Sequence, residues 1–239
     1  MSTWAFSDIH GNKQLFDKII NFLKPDDTAF FLGDAIDRCK DGWAIFKQIM
    51  DDPRITFICG NHEDMMIDAL RTFPEIRWSK AMEVWSWNGN EPTLEGIRND
   101  DPDIVKNYLL RARNLPIFQT YTSPNGNKFW LSHAGCDYTE HINELTRENL
   151  IWDRSHFFSN KWFHDDPDNL YIVHGHTPIP ILLEELSMYY DDIPKDGEVE
   201  PGAYYYADGH KIDIDCGAHF TDCTVLLNLD TFDEEIFQL

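Results

Sequence analysis

Positive charge is what this 239-residue chain has least of. Twenty Lys and Arg stand against 42 Asp and Glu, a formal net charge of −22. That balance excludes a protein that grips nucleic-acid backbones, whose affinity rests on clustered cations. Cysteine is sparse too. Cys39, Cys59, Cys136, Cys216 and Cys223 are odd in number, scattered, and form no CxxC pair. A disulfide framework and a Cys-rich zinc site are therefore not indicated. No apolar run approaches the ~20 residues of a membrane helix, and the opening MSTWAFSDIH has no basic segment leading into an apolar one. Repeats and low-complexity tracts are missing as well. The expectation is a reducing, soluble, cytoplasmic protein that engages neither nucleic acid nor membrane. What is present is the material of a core: hydrophobic residues make up 42% and aromatics 14%, too much for a disordered chain. The length suits one domain over residues 1–239 carrying an insertion.

Short apolar runs recur, each closing in polar, glycine-containing residues. They are Thr3–Phe6, Thr28–Leu32, Ile55–Cys59, Phe129–Leu131 and Tyr171–Val173. Their length, with aromatic and β-branched content, predicts buried strands. Between the first three lie stretches of helical spacing: Leu15, Ile19, Ile20 and Leu23 before Pro25, then Trp43, Ile45, Phe46 and Ile49 before Pro53. This alternation predicts right-handed βαβ units on a covered sheet. Lys211–Asp215 and Thr224–Leu229 read as further strands. From about Met65 to Pro116 the rhythm gives way to a mainly helical insertion containing Trp78, Trp85 and Trp87, interrupted by Asn88-Gly89-Asn90-Glu91-Pro92. Glu184–Gly202 is acidic, with two prolines and two glycines, and predicts a loop or hairpin excursion.

The chemistry lies in the polar residues at the end of each run. Thr3–Phe6 leads into Ser7-Asp8-Ile9-His10-Gly11, Thr28–Leu32 into Gly33-Asp34-Ala35-Ile36-Asp37-Arg38, and Ile55–Cys59 into Gly60-Asn61-His62-Glu63. Phe129–Leu131 leads into Ser132-His133-Ala134-Gly135, and Tyr171–Val173 into His174-Gly175-His176-Thr177. In an open α/β sheet, ligands collect at the carboxyl ends of the strands. Five strand ends would bring Asp8, His10, Asp34, Asn61, His133 and His176 to one edge. Imidazole, carboxylate and amide oxygen together suit borderline divalent metals such as Mn, Fe or Zn. Six ligands exceed what one catalytic metal with an open position uses. Two metals sharing one carboxylate fit better, and such a pair clamps the attacking and leaving oxygens of an in-line displacement.

At these residues the chain resembles the calcineurin-like metallophosphoesterases, specifically their phosphoprotein phosphatase branch of the bacterial and phage type. The family's D-x-H-G, G-D-x-x-D-R, G-N-H-E, histidine and G-H motifs all occur here in order, from Asp8 to Thr177, and Asp213-Ile214-Asp215-Cys216-Gly217-Ala218 resembles its I-D-x-G-A strand. The resemblance implies an α/β fold (α+β in some schemes), a four-layer β-sandwich flanked by helices with a helical insertion at about 65–116. It implies one metal on Asp8, His10 and bridging Asp34, and a second on Asp34, Asn61, His133 and His176. Manganese is expected first, with iron, zinc or nickel admitted by the same ligands. His62 matches the family's general acid and Asp37 its carboxylate partner, which keeps a proton on the imidazole. Arg38 matches a phosphate clamp. Arg154, in Ile151-Trp152-Asp153-Arg154, matches a second, and Asn61 also stands among the phosphate contacts. The implied activity is hydrolysis of phosphomonoesters, chiefly phosphoserine and phosphothreonine in proteins, by a metal-bridging hydroxide. The partner would be a phosphorylated protein or small phosphoester. The alternative is a dinucleoside polyphosphate hydrolase of the diadenosine tetraphosphatase kind, which often lacks the aspartate found here as Asp37. Three departures mark the chain. Cys39 stands where the family usually has glycine, His133 precedes Ala134-Gly135 rather than two glycines, and the eukaryotic S-A-P-N-Y segment is absent.

Overall fold

The computed structural model describes residues 1–136, 145–155, 170–188 and 200–239. The chain begins β1 (Thr3–Phe6), α1 (Lys13–Phe22), β2 (Thr28–Phe31), α2 (Gly42–Asp51) and β3 (Ile55–Phe57). Four helices follow: α3 (Asn61–Ala69), α4 (Lys80–Trp87), α5 (Glu91–Arg98) and α6 (Pro102–Ala112). Next come β4 (Phe118–Thr122), β5 (Lys128–Ser132), α7 (Arg147–Ile151), β6 (Leu170–His174) and α8 (Ile179–Ser187). The chain closes with β7 (Tyr204–Tyr206), β8 (Lys211–Asp213), α9 (Ala218–Thr221), β9 (Cys223–Asn228) and β10 (Glu234–Gln238).

Two five-stranded mixed sheets result, in the orders β10-β9-β1-β2-β3 and β4-β5-β6-β8-β7. In each, three neighbouring strands are parallel (β1, β2, β3 and β5, β6, β8), with antiparallel strands outside them. Side chains alternate across a strand, and here both faces are covered. Ala5, Leu32, Phe129, Leu131, Val173, Val225 and Leu227 fill one cluster between the sheets. Their neighbours Trp4, Phe6, Phe31 and Leu226 point the other way, under α1 and α2. Trp130 and Ile172 face outward from the second sheet, onto Leu150 and Ile151 of α7. The layers run helices, sheet, sheet, helix. Double burial explains why these strands read as unbroken apolar runs rather than alternating ones.

Element types follow the sequence closely where burial is double, with ends shifted by up to two residues. Three strands were not legible: β4, β7 and β10 are antiparallel and lie at sheet edges, and their alternating or exposed patterns lack a continuous apolar run. The expected loop at 184–202 needs correction, because Glu184–Ser187 complete α8. A helix is favoured there because Leu182 and Leu183 sit at its buried face. Residues 189–199 of that excursion lie outside the described residues. The expected helical insertion is present as α4, α5 and α6, and Met82, Trp85, Leu94, Ile97, Val105 and Leu109 pack into the cluster that α1 and α2 share. Among the described residues no helix is long and apolar enough to cross a membrane.

Candidate active site

The loops leaving β1 and β2 are zipped together by Asp8 N–H to Gly33 O (3.0 Å), His10 N–H to Asp34 O (2.9 Å) and Gly11 N–H to Ala35 O (2.9 Å). Of the ten described non-glycine residues at positive φ, six are Asp8, His10, Asp34, Asp37, Arg38 and His176. Left-handed backbone is unfavourable for such residues and collects where a site needs it. Here it aims consecutive polar side chains at one point. Gly33, at φ +100°, and Gly60 let the β2 and β3 exits touch. A Cβ on Gly33 would lie 2.5 Å from Gly60 Cα and 2.9 Å from His133 Nδ1.

Each of three buried imidazoles is held by a backbone carbonyl. His133 Nδ1–H donates to Leu32 O at 2.7 Å, and His10 Nδ1–H to Ile36 O at 2.9 Å. His176 Nε2 lies 3.1 Å from Trp152 O, and its Nδ1 faces the interior of the site. The opposite nitrogens turn toward the carboxylates and Asn61. His133 Nε2 lies 2.9 Å from Asn61 Oδ1, 3.2 Å from His176 Nδ1 and 3.5 Å from Asp34 Oδ2. His176 Nδ1 is 3.1 Å from Asn61 Oδ1. Four polar atoms, His133 Nε2, His176 Nδ1, Asn61 Oδ1 and Asp34 Oδ2, thus converge on one point. Metal–ligand bonds of ~2.0–2.2 Å put ligand atoms roughly 3.0–3.5 Å apart, which matches these separations.

Beside this nest, His10 Nε2 stands 3.6 Å from the same Asp34 Oδ2 and 4.0 Å from Asp8 Oδ1. Among the described residues Asp8 Oδ1 is buried without a hydrogen-bond partner, while Asp8 Oδ2 accepts from Ser7 Oγ–H and from His176 N–H. An orphaned carboxylate oxygen in a dry interior needs a positive partner. Asp34 divides its oxygens: Oδ1 accepts His62 N–H at 3.0 Å, and Oδ2 lies between the two nests. The residues present therefore fit two cations. Asp8, Asp34 and His133 form one compact group of metal-ligating atoms, and His10, Asp34 and His62 another.

Electrostatics agree. Burial opposes charge on His133, yet the Asp34 and Asp8 carboxylates outweigh it and push its pKa up to about 10. Burial chiefly raises Asp8 to about 6. Asp34 is held well below the usual carboxylate range, because His133, His62 and His10 outweigh its burial. Burial, helped by His62, lowers His10, and burial, helped by His133, lowers His176. Negative charge thus concentrates on Asp34.

His62 turns the other way. Its Nδ1–H donates to Asp37 Oδ2 at 2.6 Å, and Trp85 Nε1–H donates to the same oxygen at 2.7 Å. Burial opposes its charge, but Asp34 and Asp37 raise its pKa, so its Nε2, 3.8 Å from Asp34 Oδ2, can carry a proton into the site. Arg38 Nη2 is 3.5 Å from that Nε2, and Arg154 Nε is 3.3 Å from His176 Nε2. The site residues expected from the sequence all border one cavity of about 570 Å³, except Asp8, Asp37 and His133, which lie beneath it.

Several supporting residues carried no role in the sequence analysis. Glu63 accepts Asp34 N–H (2.8 Å), Gly60 N–H (3.1 Å) and Ala35 N–H (3.0 Å), tying two loops with one carboxylate. Thr93 Oγ1 accepts Asp37 N–H at 2.8 Å, and Gly89 O accepts Arg38 N–H at 3.0 Å. His219, Phe220, Trp152, Pro178, Ile181, Asn88 and Asp215 complete the cavity wall. Glu63 was visible as the last letter of Gly60-Asn61-His62-Glu63. Trp85 and His219 had no local signal, since each acts across a long sequence gap.

Comparison with known proteins agrees with this geometry. The family model for calcineurin-like phosphoesterase matches residues 1–220. Serine/threonine-protein phosphatase 2 of Escherichia coli K12 is 25% identical over 154 residues, covering 62% of this chain and 66% of that protein, just under two thirds of its length. Serine/threonine-protein phosphatase 1 of Salmonella typhimurium is 20% identical over 206 residues, 79% of this chain and 84% of that one. Among solved structures, a protein provisionally identified as a diadenosine tetraphosphatase superposes with TM-score 0.61 at 13% identity, over 98% of this chain and 92% of that chain. A serine/threonine phosphatase from Saccharomyces cerevisiae superposes with TM-score 0.55 at 12% identity, over 100% and 80%. At such identities the structures establish a shared fold, while the family rests on the match across residues 1–220. The chain belongs to the calcineurin-like phosphoesterases.

Proposed function

We propose that this phosphoesterase is a two-cation phosphomonoesterase whose substrates are phosphoserine and phosphothreonine in proteins. The first cation is assigned to Asp8, His10 and Asp34, and the second to Asp34, Asn61, His133 and His176. Manganese is the metal we assign, iron, zinc and nickel being compatible with the same donors. When bound, the pair neutralises charge on the phosphoryl group and acidifies a water for in-line attack. The chain's own residues do the rest. Arg38 and Arg154 offer the phosphoryl oxygens planar, paired donors that lysine lacks. His62 holds its second proton at Nε2, where it meets a leaving alkoxide, while Asp37 fixes Nδ1–H and stabilises the imidazolium. The helices of 65–116 work as part of one catalytic domain spanning 1–239, since Trp85 and Thr93 orient Asp37.

The observation that carries this reading is the His62–Asp37 pair at 2.6 Å, buried and buttressed by Trp85. An alkoxide leaving group is a strong base and needs a proton during bond cleavage; a nucleotide leaving from an anhydride is a weak base and needs it far less. Two phosphatase names among the relatives point the same way. The test is phosphorus NMR of the manganese-loaded protein with a phosphothreonine peptide and diadenosine tetraphosphate in one tube. Loss of the peptide ester signal with growth of inorganic phosphate is the expected result. Conversion of the dinucleotide to nucleoside diphosphate ahead of the peptide would replace this reading with the dinucleoside polyphosphate hydrolase.

A further inference from the structure

We infer that His219 is a positioning residue for the phosphate clamp: its imidazole accepts a hydrogen bond from Arg38 and turns the guanidinium toward the place where phosphate binds. The inference rests on the phosphatase reading above and deepens it. Arg38 Nη1 lies 3.4 Å from His219 Nε2, while Nη2 lies 3.5 Å from His62 Nε2. A guanidinium can only donate, and His62 Nε2 carries its own proton, so of these two ring nitrogens His219 Nε2 is the one free to accept, with the proton on Nδ1. Nδ1 is buried and has no hydrogen-bond partner among the described residues. The ring is therefore committed to Arg38 on one side and to packing on the other.

His219 is placed firmly enough for this work. It sits in α9, between Gly217 (φ +74°) and Asp222 (φ +53°), both left-handed. Asn12 Nδ2–H donates to Ala218 O at 3.0 Å and to Asp222 Oδ1 at 3.3 Å, anchoring α9 to the start of α1. The imidazole meets His10 edge-on at 5.2 Å and Phe220 at 4.7 Å.

The choice of residue has a chemical reason. Among the described residues no carboxylate forms an ion pair with Arg38, although the chain carries 42 Asp and Glu. The nearby Asp37 is engaged by His62 and Trp85 instead. A carboxylate at position 219 would orient Arg38 but cancel the charge that phosphate must meet. An imidazole lone pair orients it and leaves the charge available. The sequence shows no hint of this, because Arg38 and His219 are 181 residues apart.

The test uses the manganese-loaded full chain and five variants: His219→Ala, His219→Gln, His219→Asp, Arg38→Ala and the double variant Arg38→Ala/His219→Ala. Readouts are KM and kcat for p-nitrophenyl phosphate, the Kd of inorganic phosphate by calorimetry, and manganese content. His219→Ala is expected to raise KM and the phosphate Kd about 10-fold, ~1.4 kcal/mol, with kcat within about 3-fold and manganese retained. His219→Gln, whose Oε1 can reach the Nε2 position, is expected to restore most of the loss, and His219→Asp is not. In the Arg38→Ala background, His219→Ala is expected to add nothing. An unchanged phosphate Kd in His219→Ala overturns the inference. An equal effect with and without Arg38 does so too, as does loss of manganese, because the ring would then only support His10. Because the phosphate Kd needs no turnover, a wild-type protein that binds phosphate but hydrolyses no phosphomonoester would sink the phosphatase reading alone.

Discussion

Asp34 offers two oxygens to two different tasks. Oδ1 takes the N–H of His62, and Oδ2 looks toward His10 on one side and His133 on the other. Asp34→Asn keeps the size and one acceptor but replaces the shared anionic oxygen. Turnover of p-nitrophenyl phosphate is expected to fall by at least about 10³, in the range for lost charge stabilisation, with one manganese or none bound by elemental analysis. Activity equal to wild type would contradict the bridging assignment. Asp37→Asn addresses the acid instead. It leaves His62 without its anionic partner, so loss should depend on the leaving group: about 10²-fold for phosphoserine and a few-fold for p-nitrophenyl phosphate, whose phenolate needs little help. Equal losses on both would remove the general-acid role from His62. The residues in these experiments were all legible in the sequence, because each sits within a few positions of a strand end. Trp85, which buttresses Asp37 from 48 residues away, was not. Its role exists only once the 65–116 helices have packed.

At the scale of elements, the strands that carry the site were the readable ones, for one physical reason. With their centres buried on both faces, β1, β5 and β6 carry apolar residues there, and each gives way to polar residues where the chain turns into the site. β4 and β10 cover the edges, β7 closes the second sheet, and none needs such a run. The loops are where the structure concentrates strain. The site residues at positive φ sit in loops cross-tied by Glu63, by the Asp8–Gly33 and His10–Asp34 hydrogen bonds, and by His176 N–H on Asp8. Gly33→Ala should disturb this junction more than an ordinary surface change. The left-handed backbone alone costs ~1–2 kcal/mol for a residue with a Cβ, and the Cβ would press on Gly60 and on His133 Nδ1. A lower Tm together with weaker manganese binding is expected. A variant with wild-type Tm and full manganese content would show that the junction has room to relax.

For the whole molecule, charge is the organising quantity. With a formal net charge of −22 and a buried concentration of carboxylates in the site, bound cations relieve repulsion that folding otherwise opposes. Manganese at 100 times its Kd should stabilise the protein by ~2.7 kcal/mol, roughly 5–10 °C in Tm, and chelation should reverse this. Differential scanning calorimetry checks it, and the same titration on Asp34→Asn should show little response. The acidic surface also bears on substrate choice. Phosphopeptides flanked by Lys and Arg should be hydrolysed with higher kcat/KM than acid-flanked ones at low salt, the difference fading as ionic strength shortens the screening length. The decisive measurement concerns the cations themselves: an anomalous-scattering map from manganese-soaked crystals. Two peaks are expected, one contacted by Asp8, His10 and Asp34, the other by Asp34, Asn61, His133 and His176. A map with no peak, a single peak, or peaks away from Asp34 would contradict the two-cation site.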